Sequence, residues 1–100
     1  MKKVFISQPM SGLPEVEVMV ERLRAKLDVE DRLGEKVEII ENFYKENIPE
    51  NVKPIWFLGN SIALMYLADI VYFVKGYEKA RGCVLEHLCA EAYNIPIIHE

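Results

Sequence analysis

A carboxylate close to the start of the last predicted helix is the residue best suited to chemistry. Glu86 lies in the segment Cys83–Tyr93, whose apolar residues recur at helical spacing. At about 100° per residue, Glu86 is predicted to point away from the core. The predicted core face consists of Val84, Leu85, Leu88, Cys89 and Ala92. The start of a helix favours a carboxylate or a bound anion, although a glutamate on an outer helix face is commonly just solvated.

The same helix carries side chains that a metal ion could use. Cys83, His87 and Cys89 are ligands by type, but their spacing matches neither a Cys-x-x-Cys nor a His-Glu-x-x-His pattern. We therefore expect no metal and no cofactor. The two thiols point in different directions on one helix and cannot bridge each other. Unpaired cysteines are typical of a reducing environment, which predicts a cytoplasmic location.

Four short apolar runs alternate with helical patterns and must position these residues. The predicted strands are Lys3–Ile6, Lys36–Ile40, Ile70–Val74 and Ile95–His99. The predicted helices are one that starts at Pro14 and ends at Gly34, one over Ile55–Ala68 and one over Cys83–Tyr93. The core face of the first helix is predicted to hold Val16, Met19, Val20, Leu23 and Leu27. This order predicts one flavodoxin-like (Rossmann-like) α/β domain over residues 1–100, with a four-stranded, largely parallel sheet.

Ligands of such sheets bind beyond the carboxyl ends of the strands. Four segments are therefore expected to surround one cleft: Ser7–Gly12, Glu41–Tyr44, Lys75–Gly82 and His99–Glu100. In the third of these, Tyr77 follows Gly76 and could stack on a planar ligand. Arg81 could hold a phosphate or carboxylate, or be a solvated loop residue.

Composition excludes several other classes of protein. The 100 residues carry a formal net charge of −4, which argues against binding of a nucleic acid polymer. No run of about 18 apolar residues is present, so no membrane span is expected. The basic start is followed by Ser7, Gln8 and Pro9, which is unlike a secretory signal peptide.

Three motifs resemble the nucleoside 2-deoxyribosyltransferase superfamily, and in particular small bacterial and phage domains of unknown function related to it. Val4–Gly12 resembles the first strand and loop of that superfamily, Ala68–Phe73 its third strand, and Gly76–His87 its signature loop and helix. The motifs occur in the same order and the resemblance covers almost the whole chain.

The resemblance implies an enzyme that acts on a nucleoside or nucleotide. By position, Glu86 would be the nucleophile that attacks the anomeric carbon and expels the base, as in a two-step retaining glycosidase. The substrate-binding residues predicted from the motifs and the cleft segments are Phe5, Ser7, Gln8, Pro9, Met10, Asn42, Ser61, Gly76, Tyr77, Ala80, Arg81 and Gly82.

Several positions depart from the pattern of the superfamily. Phe5 replaces a usual tyrosine, and Gln8 replaces a frequent glycine. Ser61 stands where an aspartate commonly assists the leaving base, and Ala80 where a serine or aspartate is frequent. These departures leave two alternatives open: a protein that binds a nucleoside-derived ligand without turnover, and an interaction module whose cleft is vestigial.

The predicted helix over Ile55–Ala68 is apolar almost all round, with Asn60 and Ser61 as its polar residues. A helix on one side of a small sheet buries only one stripe of its surface. We therefore expect a homodimer whose interface includes this helix, unless the loop Lys45–Pro54 folds over it.

Overall fold

The computed structural model describes residues 1–42 and 47–100. Phe43 and Tyr44, which belong to the predicted cleft segment Glu41–Tyr44, lie outside these residues. The beginning of the predicted loop Lys45–Pro54 also lies outside them. The strands are β1 (Lys2–Ser7), β2 (Val37–Ile39), β3 (Ile70–Phe73) and β4 (Ile97–His99). The α-helices are α1 (Glu15–Leu33), α2 (Pro54–Leu64) and α3 (Arg81–Ala92).

The four strands of the described residues form one sheet in the order β2-β1-β3-β4. All neighbouring pairs are parallel; Val4 pairs with Ile39 on one side and with Ile70 on the other. This confirms the predicted four-stranded α/β fold of flavodoxin-like type. The strand order reverses between β1 and β3, because the chain leaves β1 towards β2 and leaves β3 towards β4.

The alternation of side chains along β1 and β3 builds two cores. Val4, Ile6 and Tyr72 point to one face and pack with Ala25 and Val29 of α1. The intervening strand residues point to the opposite face, where they form a second cluster with Met65 and Ala90. Among the described residues, α1 therefore covers one face, and α2 and α3 cover the other.

The predicted core face of α1 is wrong. Its buried residues are Val18, Arg22, Ala25 and Val29. The predicted residues Val16, Met19, Val20, Leu23 and Leu27 are all exposed. Small or hydrogen-bonded residues let α1 lie close to the sheet, and the bulkier apolar residues are on the outside.

The predicted phase of α3 is wrong for the same reason. Cys83, Glu86 and Ala90 are buried, whereas Val84, Leu85 and Leu88 are exposed. Since apolar residues occupy much of the circumference of this helix, hydrophobicity alone does not indicate which side meets the sheet.

Helix ends agree better with the sequence. Gly34 closes α1 with φ 70°, a left-handed conformation that glycine adopts without strain, and its N–H donates to the carbonyl of Glu30. α1 begins at Glu15, one residue later than predicted, and Pro14 is its N-cap residue. The helix predicted to reach Ala68 ends at Leu64 and continues as one 3-10 turn, Met65–Leu67.

In the described parts of the chain, no helix combines the length and apolar character needed to cross a membrane.

Candidate functional site

The carboxyl end of β1 sends two neighbouring polar side chains to opposite faces of the sheet. Ser7 points towards α3, and Gln8 points towards α1, as the alternation of a strand requires. This end of β1 lies beside β3, where the order of the sheet reverses and α/β folds bind their ligands.

Glu86 lies inside the protein at this point. Glu86 is 7% exposed, and its Oε1 accepts a hydrogen bond of 2.7 Å from the hydroxyl of the fully buried Ser7. The predicted outward orientation of Glu86 is therefore wrong. The side of α3 that faces the sheet is the opposite of the one predicted, and this brings Glu86 into contact with Ser7 at the end of β1.

Ser61 and Asn42 complete a buried polar cluster around Glu86. Ser61 is buried on α2, where its hydroxyl stabilises the charged form of Glu86. The Nδ2 of Asn42 donates to the Ser61 hydroxyl at 3.1 Å and approaches the carbonyl of Ile6 at 3.5 Å. The Oδ1 of Asn42 is buried and has no hydrogen-bond partner within the described residues. We call Ser7, Asn42, Ser61 and Glu86 the acidic cluster.

Two opposing effects set the charge state of Glu86. Burial raises the pKa of its carboxyl above the usual 4.5, and the hydroxyls of Ser7 and Ser61 lower this pKa by hydrogen bonding to the anion. The net direction is upward. Nearby, burial raises the pKa of the Cys83 thiol to about 11, so Cys83 is a neutral neighbour of the cluster at physiological pH.

Gln8 does not join the acidic cluster. It is buried on the α1 face, where its amide nitrogen Nε2 donates to the carbonyl of Val18 at 3.2 Å. Its Oε1 accepts from Nη1 of Arg22 at 3.1 Å, and Nη2 of Arg22 donates to the carbonyl of Ile40 at 2.9 Å. We call Gln8 and Arg22 with these two carbonyls the basic cluster. Gln8 is thus hydrogen-bonded within the fold, and its predicted role in substrate binding stays a prediction.

Phe5 is also a core residue. It is fully buried and packs with Val71 and Phe73 on the α2–α3 face. Pro9 and Met10 are half-buried in the loop that follows β1, where the Met10 carbonyl accepts the N–H of Leu13 in a turn. These contacts do not place Phe5 at a ligand surface.

The predicted residues of the loop between β3 and α3 lie at the edge of the sheet. Gly76 adopts φ 89° at the start of a short 3-10 turn, Tyr77–Lys79, a conformation that disfavours other residues. Ala80 precedes α3, and the exposed Arg81 is its first residue. Gly82 faces α2, where an added Cβ would lie 3.7 Å from a methyl of Leu58.

Tyr77 stacks within the protein. Its ring lies 5.1 Å from that of His87 at an interplanar angle of 11°, and 5.0 Å from that of Phe73. His99 extends this stack, with its Nε2 2.9 Å from Nε2 of His87. One face of the Tyr77 ring is therefore covered by this stacking.

In residues 1–42 and 47–100, no group of three or more His, Cys, Asp or Glu side chains could hold a metal ion.

Sequence reasoning missed two buried residues. Cys83 lies next to Ser7 and Glu86, and Arg22 holds Gln8. The alternation along β1 already separates Ser7 from Gln8, and a buried partner for Gln8 could have been sought on α1. The position of Cys83 depends on the phase of α3, which the sequence did not reveal.

Fold and site together define a flavodoxin-like α/β domain with a buried acidic cluster at the switch point of its sheet. A family model described as "Domain of unknown function (DUF4406)" matches residues 2–99, and the chain belongs to this family. A search of curated proteins finds no significant match.

Proposed function

We propose that this protein cleaves the N-glycosidic bond of a nucleoside or nucleotide, with Glu86 as the nucleophile. The observation that carries the proposal is the 2.7 Å hydrogen bond between Ser7 and a buried Glu86 at the carboxyl end of β1. The resemblance of the first-strand loop and of the segment Gly76–His87 to nucleoside 2-deoxyribosyltransferases supports the same position for the nucleophile.

The proposed reaction has two steps. One carboxylate oxygen of Glu86 forms a bond to the anomeric carbon while the bond to the base nitrogen breaks, and its electron pair leaves with the base. Water or a second base then attacks the same carbon and releases Glu86 as a carboxylate. The Ser7 hydroxyl donates to Oε1 and holds the carboxylate in position.

Two features of the acidic cluster suit this role. The two hydroxyls stabilise the anionic form that a nucleophile requires, in opposition to the effect of burial. The unpartnered Oδ1 of Asn42 is a hydrogen-bond acceptor that a hydroxyl or amino group of a ligand could satisfy.

The position of Ser61 sets an expected limit on the rate. A hydroxyl replaces the carboxylic acid that commonly protonates the leaving base in the related enzymes, and general-acid assistance is typically worth about 10²–10⁴-fold. A base that leaves without protonation, such as a 7-methylated guanine, should therefore be released disproportionately fast.

Base release from a panel of ribo- and deoxyribonucleosides and their 5′-phosphates, followed by chromatography, tests the proposal. Glu86→Gln should reduce the rate at least about 10³-fold, since the amide cannot form the glycosyl intermediate. Glu38→Gln is the matched control, because Glu38 is exposed on β2. Turnover of Glu86→Gln at the wild-type rate would contradict the assignment.

A second function, binding of a nucleoside-derived ligand without turnover, is favoured by the same hydroxyl at Ser61. Thermal-shift measurements on the panel separate the two functions. A ligand that stabilises both wild-type protein and Glu86→Gln, with no base released from either, supports the binding protein.

A further inference from the structure

The helix α1 carries two stripes with the same spacing on opposite sides. The inner stripe consists of the buried residues Val18, Arg22, Ala25 and Val29. The outer stripe consists of Val16, Val20, Leu23 and Leu27, which are 72%, 63%, 58% and 55% exposed. Four aligned large apolar side chains with this exposure form a contiguous patch, and such patches mark interaction sites.

The outer stripe has the spacing of a helix-pairing seam. Its members are separated by four, three and four residues, which is the alternation of a and d positions in paired helices. The apolar surface continues into a groove on each side of α1. One groove includes Met19 and Ile39, and the other includes Leu13 and Val74.

Charges beside the stripe favour a second copy of the same helix in antiparallel orientation. Glu17 and Arg24 each follow a stripe residue by one position and so lie on the same flank. A two-fold axis across the helix brings equal flanks together. This axis brings Val20 of one copy into contact with Leu23 of the other. It also places Glu17 of one copy opposite Arg24 of the other.

Arg24 can accept this extra partner. Its guanidinium contacts Glu21 and Glu100 of its own chain through three N–H groups. Of the five N–H donors of an arginine, two have no partner among the described residues. Parallel pairing in register would set Arg24 beside Met19, with no charge to meet.

A membrane surface suits this helix less well. Six acidic and four basic residues lie in Glu15–Leu33, and an excess of acidic charge opposes binding to anionic lipid. We propose that the outer stripe of α1 is a homodimer interface in which two α1 helices pair antiparallel. The acidic cluster lies on the opposite face of the sheet from this interface.

Sedimentation equilibrium of the full chain over a range of concentrations tests the proposal. The expected mass is twice the 11.6 kDa of one chain. Leu23→Glu should weaken the dimer by more than about 100-fold, because the symmetry buries two unpaired charges at its centre. Since Leu23 is exposed in the single chain, the circular dichroism spectrum of the Leu23→Glu variant should match that of the wild-type protein.

Ile55→Glu is the matched control. Ile55 is 70% exposed on α2, the helix whose apolar character predicts an alternative interface. A dimer that is lost with Leu23→Glu and retained with Ile55→Glu supports pairing through α1. The mass of a single chain for the wild-type protein, or a dimer lost only with Ile55→Glu, would overturn the proposal.

Disulfide formation tests the orientation. Val16→Cys and Leu27→Cys, each in a Cys89→Ser background, should form a mixed disulfide when combined. Each alone should not, because equal positions then lie about 16 Å apart along the helix axes. Rapid formation of a Leu27→Cys homodisulfide without the mixed product would rule out the antiparallel arrangement.

Discussion

Ser7 and Gln8 are neighbours in the chain, yet each belongs to a different buried polar cluster. In the basic cluster, the Gln8 amide and the Arg22 guanidinium bond to each other and to two backbone carbonyls. In the acidic cluster, Glu86 is desolvated and Asn42 retains an acceptor without a partner among the described residues. The first arrangement joins α1 to the sheet. The second leaves polar groups that a ligand could satisfy, which is typical of a site rather than of a structural network.

The largest expected effect concerns the basic cluster. Arg22→Leu removes the cation and leaves Gln8 Oε1 and the carbonyl of Ile40 without this donor in the interior. We expect a loss of about 3 kcal/mol in the free energy of unfolding, measured by urea denaturation. Arg24→Leu, on the exposed side of the same helix, should cost less than about 1 kcal/mol. Equal losses would show that Arg22 has no special structural role.

An intermediate effect is expected from Ser7→Ala in the acidic cluster. The substitution removes a hydrogen bond to an ionisable group, so the protein should lose about 1.5 kcal/mol at neutral pH. It should also raise the pKa of Glu86 further, because that hydroxyl stabilises the anion. Carbon-13 NMR titration of the Glu86 carboxyl measures this shift. Ser11→Ala, in the exposed loop, is the control and should leave the pKa unchanged.

The smallest expected effect is a gain in stability, and it comes from Glu86→Gln. Because the folded protein holds the pKa of Glu86 above its ordinary 4.5, the folded state binds more protons than the unfolded state between these two values. Wild-type stability from this group is therefore retained below pH 4.5 and is lost as the pH rises through the folded pKa. Glu86→Gln removes the cost of burying this charge. The free energy of unfolding should therefore rise by about 1 kcal/mol at neutral pH, a usual gain when a residue kept for function is replaced.

The same variant is measured by thermal melting across this pH range. The gain from Glu86→Gln should disappear as the pH falls below 4.5, where Glu86 is protonated in both states. A destabilised Glu86→Gln protein at neutral pH would mean that the acidic cluster is a structural network like the basic one. The proposed function would then lose its main physical support.

The sequence by itself determined the strand and helix order and the parallel sheet. Alternating and helical periods survive in the fold because each element must bury one side. Period 2 along β1 separates Ser7 from Gln8 before any tertiary contact is known. The helical period of the last apolar segment also put Glu86 close to the start of its helix.

Only the tertiary structure decided which side of each helix is buried. The inner and outer stripes of α1 have equal spacing, and hydrophobicity alone favours the outer one, since the inner one contains Arg22. Gln8 and the carbonyl of Ile40 make that arginine acceptable inside, and Ala25 lets the helix approach the sheet. Likewise, the position of Glu86 in the interior depends on hydroxyls from β1 and α2. A burial that depends on partners distant in sequence cannot be derived from the period of one helix.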